Sequence, residues 1–115
     1  RREAAKYYNE KLKDIVKVPE VAEYTKSVHA QYVIQVKENR DEVRKKLSEL
    51  GIPTALYYPH PIHLAPVLIE KLGYKEGDMP KSEYASKHNI AIPIDNDILK
   101  EEQDTVIDAL KKVVK

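Results

Sequence analysis

The sequence predicts an α/β (α+β) fold, a two-layer sandwich in which a small three-stranded sheet is covered by helices. Residues 28–37 alternate between apolar and polar side chains, which is typical of a strand with one buried face. Segments on both sides of this strand repeat apolar residues every three or four positions, which is typical of amphipathic helices. Because helices and strands alternate, each element can bury its apolar face against the other layer.

Residues with strong local preferences set the limits of the elements in the first half of the chain. Pro19 ends the first helix, and Asn39 is placed to cap the start of the second. Gly51 follows that helix at the position that favours a left-handed conformation, and Pro59 ends the next strand. The predicted elements are a helix over 1–16, a strand over 28–37, a helix over about 40–50 and a strand over 52–58.

The second half of the chain is read in the same way. Gly73 ends a short helix, Pro80 begins another, and Pro93 places the third strand at an edge or near its own end. The last helix carries lysines near its C-terminus, where they face the negative end of the helix dipole. The predicted elements are a helix over 63–72, a helix over 80–87, a strand over 90–94 and a helix over 99–114.

Length and composition limit the classes of protein. The 115 residues suit one domain, and 20 basic against 19 acidic residues leave no basic surface typical of nucleic-acid binding. Without cysteine there is no disulfide, thiolate metal site or cysteine nucleophile, and no segment resembles a membrane span. The eight tyrosines, with no Phe or Trp, bring a hydroxyl with every ring that is buried.

The segment from Tyr57 to His63 is the main candidate site, because two prolines fix its backbone while two tyrosines and two histidines project from it. His60 and His63 are three residues apart, but two histidines make an incomplete zinc site, so we expect no metal. The plainer interpretation is a proline-shaped turn with surface histidines. The three glycines are placed at helix ends and in a turn, which excludes a phosphate-binding loop.

Taken in order, the motifs of the chain resemble the C-terminal small domain of the DegT/DnrJ/StrS family. These are fold type I aminotransferases that use pyridoxal phosphate (PLP) and act mostly on nucleotide-linked keto-sugars. The segment from Tyr58 to His63, Tyr-Pro-His-Pro-Ile-His, is similar to the family's His-Tyr-Pro-x-Pro-Leu-His-x-Gln signature. Further matching motifs are Arg1–Asn9, Tyr32–Val36, Asn39–Asp41, Leu50–Thr54, Leu72–Tyr74, Gly77–Pro80 and Ile92–Pro93.

The resemblance implies that this chain has no complete active site and no catalytic residue of its own. In the family, the Schiff-base lysine, the phosphate-binding residues and the acid facing the pyridine nitrogen belong to the large domain. That domain would precede Arg1, with residues 1–18 as the leading helix and 19–115 as the small-domain core. We therefore expect no cofactor on this chain, the large domain as a partner and a cytoplasmic location. The resemblance implies substrate contacts from Tyr58, His60 and His63.

Departures from the family pattern suggest redesign. Tyr57 stands where the family usually has His, and Ala65 where it usually has Gln, so these are altered site positions. Met79 replaces a usual Phe, and the chain has no Phe at all. The missing initial Met and the charged surface fit an isolated, engineered domain made soluble without its large domain.

Three interpretations stay open. The first is a non-catalytic small domain, redesigned and without activity of its own. The second is a designed scaffold that binds a small molecule, a metal or a partner chain through residues 57–63. The third is a fragment of a sugar-nucleotide aminotransferase that contributes substrate contacts when it is joined to its large domain. Exposed strand edges would also allow a homodimer.

Overall fold

The computed structural model describes residues 1–114, which form five α-helices, one 3₁₀ helix and two strands. The mixed helical and antiparallel-sheet architecture confirms the predicted fold class. No helix among the described residues is both long enough and apolar enough to span a membrane. The elements are α1 (Arg2–Leu12), β1 (Tyr32–Gln35), α2 (Arg40–Glu49), the 3₁₀ helix (Ile62–Leu64), α3 (Pro66–Leu72), α4 (Pro80–His88), β2 (Asn89–Ile92) and α5 (Lys100–Val113).

The sheet of the described chain has two strands, so the prediction of three was wrong. Strands β1 and β2 are antiparallel, with Tyr32 opposite Ile92. The predicted strand 52–58 contributes a single bridge, in which Ala55 and Ala91 exchange two backbone hydrogen bonds of 3.1 and 2.9 Å. In an antiparallel ladder the next bonded pair would be Pro53 and Pro93. Neither proline has an N–H to donate, so the ladder cannot continue from Ala55 in the direction of Pro53.

Helix α1 ends earlier, and strand β1 begins later, than the sequence pattern predicts. Helix α1 ends at Leu12 rather than residue 16, because the chain turns there and Lys17 then forms a bridge with Gln35 at the free edge of β1. The strand begins at Tyr32 rather than residue 28, because His29 has a φ of 47°, which is not extended backbone.

The predicted helix 63–72 is divided in two by Pro66. A proline disfavours helical backbone in the residue before it, and Ala65 accordingly has a ψ of 136°. The part before Ala65 is the 3₁₀ helix and the part after it is α3. Helix α2 begins after Asn39 as predicted, but Asn39 has a φ of 55° and its side chain makes no capping hydrogen bond.

The apolar core lies between the two strands and helices α1, α2 and α5. Gln103 of α5 donates a 2.9 Å hydrogen bond to the Ala4 carbonyl, which ties α5 to α1. Residues 57–80 contribute nothing to this core, and α3 has no buried residue. The core residues are Ala5, Tyr8, Leu12, Val16, Tyr32, Ile34, Val36, Val43, Leu47, Ile52, Ile90, Ile92, Val106, Ile107, Ala109 and Leu110.

Candidate functional site

The segment from Tyr57 to His63 leaves the sheet at the Ala55 bridge and runs over the surface to the 3₁₀ helix. The rings of Tyr57 and Tyr58 meet edge to face, with centroids 5.8 Å apart. Tyr58 is 67% exposed and His60 is also exposed. The prolines thus leave two polar aromatic side chains facing solvent, as a ligand-contacting loop requires.

His63 has a different position from the other predicted contact residues, because it lies beneath the loop and is only 7% exposed. Its Nε2 atom is 3.2 Å from Glu83 Oε2 of helix α4. The ring of Tyr74 packs edge to face against it, with centroids 6.0 Å apart. His63 is therefore held on two sides by contacts within the chain.

Glu83 completes this cluster and was missed by the sequence analysis. It is 7% exposed, and its carboxylate accepts hydrogen bonds from the Gly77 N–H at 2.7 Å and the Met79 N–H at 2.9 Å. The Gly77 bond, helped by those from Met79 and His63, lowers the pKa of Glu83 below 4.5 even though burial opposes this. Glu83 is therefore ionised at neutral pH. The only hint in the sequence is an acid in the first turn after Pro80.

A groove of about 530 Å³ runs beside the loop. Tyr57, Tyr58, His60 and His63 line it, whereas Ala65 does not. Its other walls come from α3, α4 and the turn between them, and no Lys, Arg, Asp or Glu within residues 1–114 lines it. A larger groove of about 860 Å³ lies beside α2 and contains none of the predicted site residues.

The groove beside the loop lacks, among residues 1–114, the groups that anchor PLP. The cofactor's phosphate needs basic side chains or a cradle of free N–H groups, and its aldehyde needs a lysine. The groove beside the loop offers no lysine or arginine, and the three glycines lie at helix ends and in a turn, as predicted. The donor set therefore suits contacts with a neutral, hydroxyl-bearing ligand better than the anchoring of a phosphorylated cofactor.

We expect Zn²⁺ to leave His63 unaffected. Within residues 1–114 no group of three His, Asp or Glu side chains is placed to hold a metal, and Nε2 of His63 is engaged by Glu83. A zinc titration followed by NMR of the histidine rings tests this, with His88 as an internal control for surface binding. A stoichiometric shift at both His60 and His63, absent at His88, would contradict the expectation.

Comparison with known proteins gives the origin of this architecture. The sequence pattern of the DegT/DnrJ/EryC1/StrS aminotransferase family matches residues 1–111. The chain belongs to this family. The "Pleiotropic regulatory protein" of Geobacillus stearothermophilus is 37% identical over 113 residues, which are 96% of this chain and 30% of that relative. The resemblance drawn from the motifs is thus confirmed, and the chain spans about 30% of the length of this relative.

Solved structures of the family carry the same fold. An aminotransferase from Brucella abortus matches with a TM-score of 0.84 and 34% identity, over 96% of this chain and 29% of that one. The S. venezuelae DesV protein, solved in complex with a ketimine intermediate, matches with a TM-score of 0.89 and 28% identity, over 96% of this chain and 30% of that one.

A third solved structure contains the cofactor of the family. The ntda protein of Bacillus subtilis, solved with the bound cofactor PMP, is 25% identical, has a TM-score of 0.80 and is matched over 96% of this chain and 27% of its own. The family is thus PLP-dependent, as the resemblance implied. That this chain holds no cofactor of its own stays a prediction.

Proposed function

We propose that the chain is the substrate-contacting portion of a PLP-dependent sugar aminotransferase and does not transfer amino groups alone. The observation that carries this proposal is the groove beside residues 57–63. It presents exposed Tyr58 and His60, with His63 beneath them, but no group that anchors a cofactor. Phenol and imidazole groups bind neutral sugar hydroxyls well, because each can donate or accept a hydrogen bond.

In this proposal the cofactor is held by the part of the family chain that lies outside this sequence. PLP supplies the chemistry that stabilises a carbanion next to nitrogen. Tyr58 and His60 would bind and orient the sugar at the edge of that site, and the loop would exclude water from one side. None of these residues has to take part in bond making, so the expected signature of their loss is weaker substrate binding.

An uncovered apolar surface supports the view that the chain works when joined to the rest of a family enzyme. Helix α3 and the 3₁₀ helix expose Ile62 at 77%, Leu72 at 65% and Val67 at 52%. Soluble domains rarely leave such a group of large side chains uncovered. Since this chain spans about 30% of its relatives, we propose that the other 70% or so covers this surface.

We expect amino transfer from the joined protein only. The test replaces the matching portion of a full-length family aminotransferase of known substrate with this chain, and assays the chimera, the chain alone and the truncated enzyme. The chimera and the truncated enzyme should retain PLP through gel filtration and the chain alone should not, whereas only the chimera should turn over. Tyr58→Phe should raise KM about tenfold, equivalent to one hydrogen bond, with little change in kcat.

The matched control is Tyr24→Phe, which removes a hydroxyl from a ring that is 91% exposed and lies outside the groove. It should leave KM unchanged. Amino transfer by the 115-residue chain alone would overturn the proposal, as would a PLP-loaded, active chimera that Tyr58→Phe and His60→Ala leave unaffected. Sedimentation of the chain alone tests what covers the apolar surface. A tight homodimer that Ile62→Asp abolishes would show that a second copy of this chain covers it.

The engineered origin of the chain stays a prediction that rests on Tyr57, Ala65 and the absence of Phe. A natural full-length relative with Tyr and Ala at these two positions would contradict it. The cytoplasmic location expected from the family is likewise a prediction, tested by fractionating cells that express the parent enzyme. A designed binding role for the loop has no separate support in the described residues, and the zinc titration tests its metal-binding form.

A further inference from the structure

The substrate loop has little apolar contact to hold it in place. Between residues 57 and 80, His63 is the only buried residue, and no side chain of this stretch belongs to the core. Helix α3 packs against the 3₁₀ helix rather than against the sheet. A surface excursion of this kind needs some other restraint if its side chains are to keep one geometry.

A single carboxylate supplies that restraint by joining three separate segments. Glu83 of α4 accepts one hydrogen bond from the turn at Gly77, one from Met79 at the start of its own helix, and one from His63 beneath the loop. Buried charge is stable only when it is paired and hydrogen-bonded, and here all three bonds go to one ionised group. Removing the charge therefore releases the loop and the turn together.

We propose that Glu83 is a positioning residue for the substrate loop, which acts by fixing the location and the tautomer of His63. This inference rests on the proposed function, because it gives residues 57–63 their role. An ionised carboxylate only accepts hydrogen bonds, so Nε2 of His63 must carry a proton. Nδ1 is then the only ring nitrogen left for a ligand, and in the neutral ring it is an acceptor. A neutral His63 ring therefore selects a ligand group that donates, such as a sugar hydroxyl.

The three hydrogen bonds of Glu83, which we call the clamp, also hold the walls of the groove beside the loop. His63, Tyr58 and His60 all line the groove beside the loop, as do Tyr74 and Met79. Tyr74 packs on the His63 ring, and the N–H of Met79 is bound by Glu83. Both walls of the groove are thus fixed through the same carboxylate. Loss of Glu83 should therefore widen the groove or make its side chains more mobile, without disturbing the sheet.

The test is NMR of the 115-residue chain, first as wild type. At mildly alkaline pH the neutral His63 ring should show a slowly exchanging Hε2 proton and an unprotonated Nδ1. Glu83→Gln should remove the slow Hε2 proton and shift the Tyr58 and His60 signals. It should also raise amide exchange at Gly77 and Met79 at least about tenfold, the equivalent of one lost hydrogen bond.

Glu76→Gln is the matched control, because Glu76 is an exposed acid of the same turn that pairs with Lys87 at 3.6 Å and does not touch His63. It should leave every one of these signals unchanged. An Nδ1–H tautomer in the wild-type ring would overturn the proposal whether or not the variant folds. So would a Glu83→Gln chain whose His63 and loop signals match wild type. These measurements need no enzymatic activity, so they separate failure of the clamp from failure of the proposed function.

Discussion

Tyr32→Ala should be the most damaging single substitution in the chain, and we expect it to lower the free energy of unfolding by about 3–5 kcal/mol. Tyr32 is fully buried in β1, and its ring packs against that of Tyr8 with centroids 4.9 Å apart. Alanine leaves a cavity opposite Ile92, and a two-stranded sheet has few neighbouring side chains that could move to fill it. A domain of this size is stable by about 5–15 kcal/mol in total, so the loss is between about a fifth and the whole of its stability.

Urea unfolding measures this loss, and Tyr32→Phe is its control. The Phe variant keeps the ring and loses only the hydroxyl, which donates a 2.5 Å hydrogen bond to Asn9 Oδ1. Asn9 is half-buried and can bind water instead, so the expected loss is about 1 kcal/mol. If the Phe and Ala variants lost equal stability, the hydroxyl rather than the ring would be the principal contribution of Tyr32.

Local patterns predicted the helices better than the sheet. Helix α2 was expected at about 40–50 and observed at Arg40–Glu49, because its apolar spacing and the following Gly51 act over a few neighbouring residues. The predicted strand 52–58 did not form, for a reason that only long-range pairing reveals. Pro53 alone permits an edge strand, but its place opposite Pro93 removes both donors from one position of the ladder.

The candidate site shows the same division between local and distant information. The sequence of the loop alone indicated Tyr57, Tyr58, His60 and His63, because prolines, rings and imidazoles are adjacent there. The partner of His63 lies 20 residues further along the chain, and no spacing rule connects the two. The burial of His63 follows from that partner, which is why the sequence could place it in the loop but not beneath it.

The tyrosine-rich composition has a consequence for the pH range in which the domain is stable. Tyr8 and Tyr32 are both fully buried, and burial is the first cause that raises the pKa of each above 10.0. Acidic neighbours add to the effect at Tyr8, with Asp95 the larger contributor and Glu102 the smaller. The hydroxyl of Tyr8 also donates a 2.7 Å hydrogen bond to the Pro93 carbonyl, which the phenolate form cannot do.

The sign of the effect follows from comparing the folded and unfolded chains. Below pH 10 both states keep these phenol protons, so the contribution of the two phenols to the free energy of unfolding is fully present. Above pH 10 the unfolded chain releases them while the folded chain retains them, so stability falls as pH rises. Each buried tyrosine should steepen this fall by up to about 1.4 kcal/mol per pH unit.

We therefore expect the double variant Tyr8→Phe, Tyr32→Phe to be less stable than wild type at neutral pH but to lose stability more slowly above pH 10. Urea midpoints measured at a series of alkaline pH values give the two slopes. Tyr24→Phe, which alters a ring that is 91% exposed, should keep the wild-type slope and so accounts for the tyrosines that unfolding does not transfer to water. Parallel slopes for wild type and the double variant would show that the buried phenols do not govern alkaline unfolding. A shallower slope for the double variant would mean that the buried tyrosines set the upper pH limit of the stability of the domain.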